Sequence, residues 1–479
     1  MSSLRAIRLL NSVEAGITDS AELDTLLSDS GRLSEFSVLM SMRGQARRMA
    51  ASTVTVDTFI NSPIAVNAVF ADTDLNNPVV GIAMLKKQTA MVLVSADRNT
   101  LNIIMANPYS AALLKASPWF ETYVKELISN LTPALNSANY PSVQALVTNN
   151  AAMGVILEIP GAVEIIVASP TTMETVAGDL AIMTTLSDSS AAVNIVASST
   201  SAMSLISGST NAMNPLTASS IAMTIVANKA SAMSAIAANE VAYATFLASP
   251  YFSANRKNVI ASLIGLTSSD YVDINAMIDD AAALTTIVSN KNAVTALASS
   301  SAALGHLATS ANLSIVLNST IAMAILGPNV TAMTAFLGNP DAWSSLFASA
   351  AVKGYITSST GLVDAIANNS DLITYLTGLS TSKSPGVVPD GQPGTFQTFP
   401  GLPAKILTLS VKEIGIAATY STFNLGGAIT AGTAAGEDLR VSSQVSKVHV
   451  AAYSGVTWDF QGAGVTLATQ PIVTYVDMS

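Results

Sequence analysis

Hydrophobic positions recur every ten residues over most of this chain. From Ala151 to Pro250 the third place of each block reads Met153, Val163, Met173, Met183, Val193, Met203, Met213, Met223, Met233 and Tyr243. The sixth reads Ile156, Ile166, Val176, Leu186, Val196, Ile206, Leu216, Val226, Ile236 and Phe246. The second is nearly always alanine, as at Ala202, Ala212 and Ala222, and the fourth is polar or small, as at Glu164, Asn194, Ser204 and Thr224. A strand would put places two, four and six on one face, which the fourth place forbids. A helix gathers two, three and six together. The ninth place is often a helix N-cap type (Ser169, Asp179, Ser189, Ser199, Ser209, Ser219, Asn239, Ser249). The next place is proline at Pro160, Pro170 and Pro250, suited to the first helical position, and Gly178 and Gly208 fall where a helix should stop.

Each block therefore predicts a helix of about two turns and a tight turn. So short a helix is not stable alone and must bury its Ala/Met/Ile face on neighbours, which is the logic of a solenoid. The methionines read as flexible core filler. Pro215 lies inside one predicted helix and is expected to break it early. With two helices per rung and rungs ~10 Å apart, about 24 blocks from Val143 onward would make a rod of ~120 Å. A β-helix of ten-residue rungs is the competing picture; the caps and the polar fourth place argue against it.

The pattern changes at both ends. Residues 1–60 lack the decapeptide and predict an N-terminal helical anchoring module. In it SLRAIRLLNSVEAG is closed by Gly16, Asp19-Ser-Ala-Glu22 has capping-box spacing, and RLSEFSVLMSMRGQARRMAAS forms a third helix. Arg43, Arg47 and Arg48 cluster at the end of that helix, either docking on an acidic partner or complementing its C-terminal dipole. Residues 61–379 form the decapeptide-repeat solenoid, loosened between Tyr251 and Met277 into a longer helix and a loop. Residues 380–404 are Pro/Gly/Ser-rich and read as a linker. Residues 405–479 alternate as short strands and predict an all-β sandwich or jelly-roll of about eight strands. There Tyr453, Trp458 and Asp459 are candidates for a glycan-stacking surface, set against the plainer reading of core aromatics. The expected fold class is multidomain: helical module, α-solenoid, C-terminal β-sandwich.

Composition narrows the chemistry. Half of the 479 residues are hydrophobic and only 11% are charged, well under the roughly 25% of ordinary soluble domains. Net charge is −10. Between Ser129 and Asn255 the one basic residue is Lys229, so a phosphate-neutralising face for nucleic acid is not expected. There is no cysteine, and His306 and His449 are far apart, which predicts no zinc site and no cofactor. No apolar run reaches the length of a membrane span, and the N-terminus does not read as a signal peptide. No nucleophile elbow, phosphate loop or zinc-protease motif occurs. Asp270, Asp273, Asp279 and Asp280 form a local acidic group that could serve acid–base chemistry; a solvated loop is the simpler reading.

Repeats such as SSTSAM, SSIAM and NSTIAM, following the opening MSSLRAIRLLNSVEAGITDSAELDTLLSDSGRLSEFSVLM, resemble those of bacteriophage virion structural proteins of the repeat-rich tail-fibre or appendage type. The resemblance covers roughly the first four-fifths of the chain and rests on composition and period. It implies a non-enzymatic virion component: one end anchored to baseplate, tail or collar proteins, the solenoid as spacer, the C-terminal part facing a host glycan or protein. A head, collar or baseplate decoration without receptor binding is the alternative, and a polysaccharide depolymerase using Asp270 or Asp273 ranks last. Homo-oligomerisation stays open. The corresponding location is the virion, assembled in host cytoplasm.

Overall fold

The computed structural model describes residues 19–71, 79–309 and 311–383, and beyond these the strand segments 397–398, 406–412, 420–424, 429–430, 438–442, 446–453, 457–461 and 472–479. The chain divides into two compact units, 1–255 and 256–479, a division that falls inside the repeat array rather than at either of its expected ends. The helix expected over SLRAIRLLNSVEAG lies outside the described residues.

In the first unit each decapeptide is one short helix: Pro160–Ala168, Pro170–Gly178, Leu180–Asp188, Ser190–Ala197, Thr200–Ser207, Thr210–Ala218, Ser220–Ala227, Ala230–Ala237 and Glu240–Leu247. Places two, three and six are buried block after block, and in most blocks so is place seven, a small residue such as Ala177, Ser187, Ala197, Ser207 or Ala227. Four buried places in ten give each helix a broad inward stripe. Its outward places carry Ser, Thr and Asn, many of whose hydroxyls bond back to their own helix, as Thr184 does to Leu180 and Thr224 to Ser220.

The path of the coil differs from the expected two helices per rung. Each helix packs on its sequence neighbour and on the third helix along: Pro160–Ala168 on Ser190–Ala197, which packs on Ser220–Ala227, and likewise Thr200–Ser207 on Ala230–Ala237. Successive axes turn sharply, by 103° between Leu180–Asp188 and Ser190–Ala197 and by 99° between Ser220–Ala227 and Ala230–Ala237. Three such turns bring the chain round, so one coil takes three helices.

The cap residues link one coil to the next. Ser219 Oγ accepts from Ala222 N (3.3 Å) and donates to Ser187 O (2.8 Å) in the preceding coil. Ser209 bonds Ala177 O in the same way (2.6 Å), Ser249 bonds Thr217 O (2.6 Å), and Ser117 bonds Leu85 O (2.6 Å). Asn239 divides the two tasks, with Oδ1 capping Val241 and Ala242 and Nδ2 donating to Ser207 O (2.9 Å). In the second unit Ser319 reaches Val288 O, Asn369 reaches Leu337 O, and Asn339 reaches Ala308 O. The acceptors are carbonyls at helix C-termini, which have no partner within their own helix.

Three further expectations are corrected. Pro215 does not break its helix: Thr210–Ala218 continues through it, and Pro215 O still accepts from Ser219 N (3.1 Å). One missing amide in so short a helix is outweighed by the packing of both neighbouring coils. RLSEFSVLMSMRGQARRMAAS is two helices, Ser30–Ser41 and Arg43–Ala51, parted at Met42, whose backbone is extended (φ −82°, ψ 101°).

The third correction concerns the fold class. An independent C-terminal all-β sandwich or jelly-roll is not what the described residues form; the protein is predominantly a helical repeat, with strands added onto its last helices. The strands are β1 (Thr381–Lys383), β2 (Gln397–Thr398), β3 (Ile406–Lys412), β4 (Tyr420–Asn424), β5 (Ile429–Thr430), β6 (Asp438–Ser442), β7 (Ser446–Tyr453), β8 (Thr457–Gln461) and β9 (Ile472–Asp477). β1 follows directly on the last repeat helix and pairs antiparallel with β9, so the segment expected to begin a linker begins a sheet. That sheet runs β1-β9-β3-β7-β5, and a second runs β2-β8-β4-β6. The terminal helices Thr360–Ala367 and Ser370–Leu379 pack against β3, β5, β7 and β9. Leu407, Leu409, Tyr475, Val476 and Met478 are buried there. The physical reason is that a helical coil ends on an apolar face that must be covered.

The bridging caps predict unequal costs for superficially similar serines. Ser219→Ala should lower stability by about 1–3 kcal/mol, because it removes a cap and strands a buried carbonyl. Ser198→Ala, whose exposed hydroxyl only bonds its own helix at Asn194 O, should change stability by less than about 0.5 kcal/mol. Urea unfolding of both variants measures the difference.

Candidate functional site

The residues singled out in the sequence do not form one site. Arg43 opens the helix Arg43–Ala51 rather than closing one, which overturns its reading as a dipole-matched C-terminal charge; Arg48 does lie in that helix's last turn. Arg47 and Arg48 are exposed. Tyr453 ends β7 in the five-stranded sheet, where its backbone pairs with Ile406. Trp458 and Asp459 lie in β8 of the other sheet, opposite Phe423 and Thr422 of β4. The side chains of these three lie outside the described residues.

The acidic group is taken up by local structure. Asp273 caps Ile274–Asp279 by accepting from Ala276 N (2.9 Å). Asp280 caps Ala281–Val288, accepting from Ala282 N (2.9 Å), Ala283 N (3.2 Å) and the Tyr271 hydroxyl (2.9 Å). Asp279 Oδ1 lies 2.9 Å from His306 Nε2. The hydrogen bond from Ala283 holds the Asp280 carboxyl below its ordinary range, and Asp280 in turn pushes the Tyr271 phenol up. Among the described residues no group of three or more His, Asp or Glu could hold a metal ion. No single described helix is long and apolar enough to cross a membrane.

Among the described residues, one module that occurs twice interrupts the period. A long helix, Phe120–Leu131, is followed by a 3-10 turn at Ser137–Asn139 and a short helix capped by Ser142. The helix Phe252–Ile264, the turn Ser268–Asp270 and the helix capped by Asp273 repeat this plan. Ser117, Phe120, Lys125, Ile128 and Leu131 recur as Ser249, Phe252, Lys257, Ile260 and Leu263; Leu135 and Tyr140 recur as Leu266 and Tyr271. Both lysines make the same bond, Lys125 Nζ to Tyr140 O (3.2 Å) and Lys257 Nζ to Tyr271 O (2.8 Å). The helices end by different means. Thr132, held extended before Pro133, stops the first, while Gly265 at φ +72°, with Leu266 N bonded to Ala261 O, stops the second. Ten α-helices separate the modules, from Asn150–Ile156 to Glu240–Leu247.

The first module has a cleft of about 540 Å³. Its walls are the helix Gln88–Ala96, the start of the helix Arg98–Ala106, the long helix and the loop after it. The long helix buries Phe120, Val124, Leu127, Ile128 and Leu131, which turns Tyr123, Glu126 and Asn130 to the cleft side, with Ser129 at its edge. Arg98 Nε donates to Asn130 O (2.7 Å), satisfying a carbonyl at the end of the long helix. Gln88 Nε2 donates to the Tyr123 hydroxyl (3.1 Å), and Lys125 Nζ lies 3.4 Å from Glu126 Oε1. Behind Arg98, Asp97 caps its helix; the hydrogen bond from the Thr100 hydroxyl holds its carboxyl below the ordinary range.

Two polar atoms in this wall have no hydrogen-bond partner: Ser129 Oγ, in a residue only 4% exposed, and Asn130 Nδ2. Leaving such a group unpaired costs about 1–3 kcal/mol. The decapeptide reading missed all of these residues; the signal that could have found them is the loss of the ten-residue period between Ser117 and Asn149. Comparison of the chain with protein-family models and with curated proteins gave no match.

The titrating caps set a pH window. Asp97 and Asp280 have lowered values in the folded protein, so their contribution is present above the ordinary carboxylate range, about pH 4, and is lost as pH falls through the lowered values. Burial pushes the Tyr243 phenol above its ordinary 10.0, so its neutral form favours folding until pH rises past that value. The serine and asparagine caps do not titrate. A thermal midpoint nearly constant from about pH 5 to 9, falling below about 4 and above about 10, is expected from melting curves in a buffer series.

Proposed function

We propose that this chain is a structural protein of a bacteriophage virion, a tail fibre or tail appendage, in which the helical coil spaces and presents the C-terminal residues to a host surface or a virion partner. The observation that supports this reading best is the series of cap side chains, such as Ser209, Ser219 and Asn239, that tie one coil to the one before. A coil tied in this way by neutral side chains is stiff, depends little on salt, and offers few Lys or Arg side chains to trypsin-like proteases. These properties suit a spacer that works outside a cell. The resemblance of the opening forty residues and of the Ser/Thr-rich repeats points to the same class of particle. Anchoring belongs, in this reading, to the N-terminal helices, and the partners are baseplate, tail or collar proteins.

Immunogold electron microscopy on particles from the source lysate, with antibody raised against the chain, tests the proposal. Gold on appendages away from the particle axis is the expected result. Gold on the head or tail body would replace it with a decoration protein, and unlabelled particles in a lysate that contains the chain would overturn the virion reading.

A further inference from the structure

We infer that the cleft of the first long-helix module is a binding site for a small monocarboxylate with an apolar body, held by the guanidinium of Arg98.

Arg98 is the one basic side chain among the residues that line the cleft. It is partly buried, and the bond from its Nε to Asn130 O (2.7 Å) fixes one edge of the guanidinium. The two Nη groups have no partner among the described residues. The neighbouring carboxylates are already engaged. Glu126 pairs with Lys125 (3.4 Å), and Asp97 accepts from its own helix at Asn99 N (3.3 Å) and Thr100 N (3.2 Å). A positive charge is therefore left in the cleft. The remaining edge of the guanidinium is a planar fork of donors, the shape that a carboxylate accepts in bidentate fashion. The Tyr123 hydroxyl accepts from Gln88 Nε2 (3.1 Å), so its own hydrogen is left for an acceptor.

The apolar body follows from the other wall. Val92 lines the cleft and is 46% exposed. It follows the buried Met91 and so stands at the fourth place of its helix, which the array fills elsewhere with polar or small residues such as Asn194, Ser204 and Thr224. Ala96, Leu135 and the ring of Tyr123 line the same cleft. Its volume of about 540 Å³ is within the usual range for small-molecule sites.

The second module serves as an internal comparison. Counting 132 residues on, from Ser117 to Ser249, places Thr224 at Val92, Ala230 at Arg98 and Asn255 at Tyr123. The second long helix is closed all the same, by Gly265 and by Asn290 Nδ2 donating to Leu263 O (3.1 Å). A cation at the end of the long helix is thus not a demand of the module. In a chain with only 11% charged residues, the cation and the exposed apolar side chain occur together in the first copy alone, and a ligand with both characters accounts for the pair.

Calorimetric titration of the full chain with acetate, hexanoate and benzoate tests the inference, with benzamide as the neutral counterpart and inorganic phosphate as the competing oxyanion. Saturable binding of hexanoate or benzoate is expected, tighter than that of acetate, and none of benzamide. Arg98→Gln removes the charge and keeps an N–H donor; it should weaken binding about tenfold or more, the loss of hydrogen bonds to a charged group. Val92→Thr puts at an exposed place the residue that the second module carries there, so the fold is kept. It should weaken hexanoate or benzoate about threefold, through lost apolar contact, and it keeps the test decisive if Arg98→Gln does not fold. Absence of saturable binding by every carboxylate, benzamide binding as tightly as benzoate, or phosphate binding more tightly than any carboxylate would each overturn the inference. So would unaltered binding in a folded Arg98→Gln or in Val92→Thr. Because the assay uses the isolated chain, its outcome does not depend on whether the chain belongs to a virion.

Discussion

The fold depends on one side chain doing two things. A helix of eight or nine residues leaves a large share of its backbone groups without partners inside the helix, and it is too short to persist alone. At several of these helices the residue before the helix caps its first turn and, through its remaining hydrogen, closes a carbonyl at the end of a helix one coil earlier. Ser219 between Ala222 N and Ser187 O is the plainest instance. Hydrophobic burial alone would let such helices slide against each other; a bond from a fixed cap to a fixed carbonyl sets the register where it forms, as at Ser209, Ser219, Asn239 and Ser249. Serine and asparagine fit because each can accept and donate, whereas an aspartate cap can only accept.

That constraint explains the composition. The ninth place must be small and polar with both capacities, the second and seventh must be small enough for helices to approach, and the third and sixth must fill what remains. Met203, Met213, Met223 and Met233 are buried at the centre of successive helices because an unbranched side chain adapts to slightly different surroundings in each coil. The bonds from cap to carbonyl are made by neutral side chains, and ion pairs such as Lys115 with Glu164 (2.6 Å) and Lys87 with Asp57 (3.0 Å) lie at partly exposed positions. The duplicated long-helix module interrupts the repeat once before and once after a run of ten helices, and the first copy turns that interruption into a cleft.

Much of this was legible in the sequence, and the limits have physical causes. Period, helix type, the buried second, third and sixth places and the capping ninth place follow from spacing and side-chain chemistry. The seventh place was not legible, because Ser187 and Ser207 are polar by type and buried only through their place on the stripe. Three helices per coil were not legible either: a cap's acceptor role is local, but the destination of its hydrogen depends on where the chain returns. Pro215 misled because its cost was judged for an isolated helix. The strands were expected to stand apart as a sandwich, yet the pairing of β1 with β9 and the burial of Leu407 and Tyr475 tie them to the last helices, a long-range demand with no local signature. In the cleft, Ser129 looks like any other serine of this serine-rich chain until the packing of the long helix buries it.

Asn239→Asp tests the two-fold role of the cap most directly. The substitution is isosteric and keeps the acceptor for Val241 and Ala242, since asparagine and aspartate are equally good caps. It replaces the donor that reaches Ser207 O with a second acceptor. Equilibrium urea unfolding at pH 7 should show a loss of about 1–3 kcal/mol, the cost of an unpaired buried carbonyl. Stability equal to or above that of the unaltered protein would mean that capping alone holds these helices and would contradict the account.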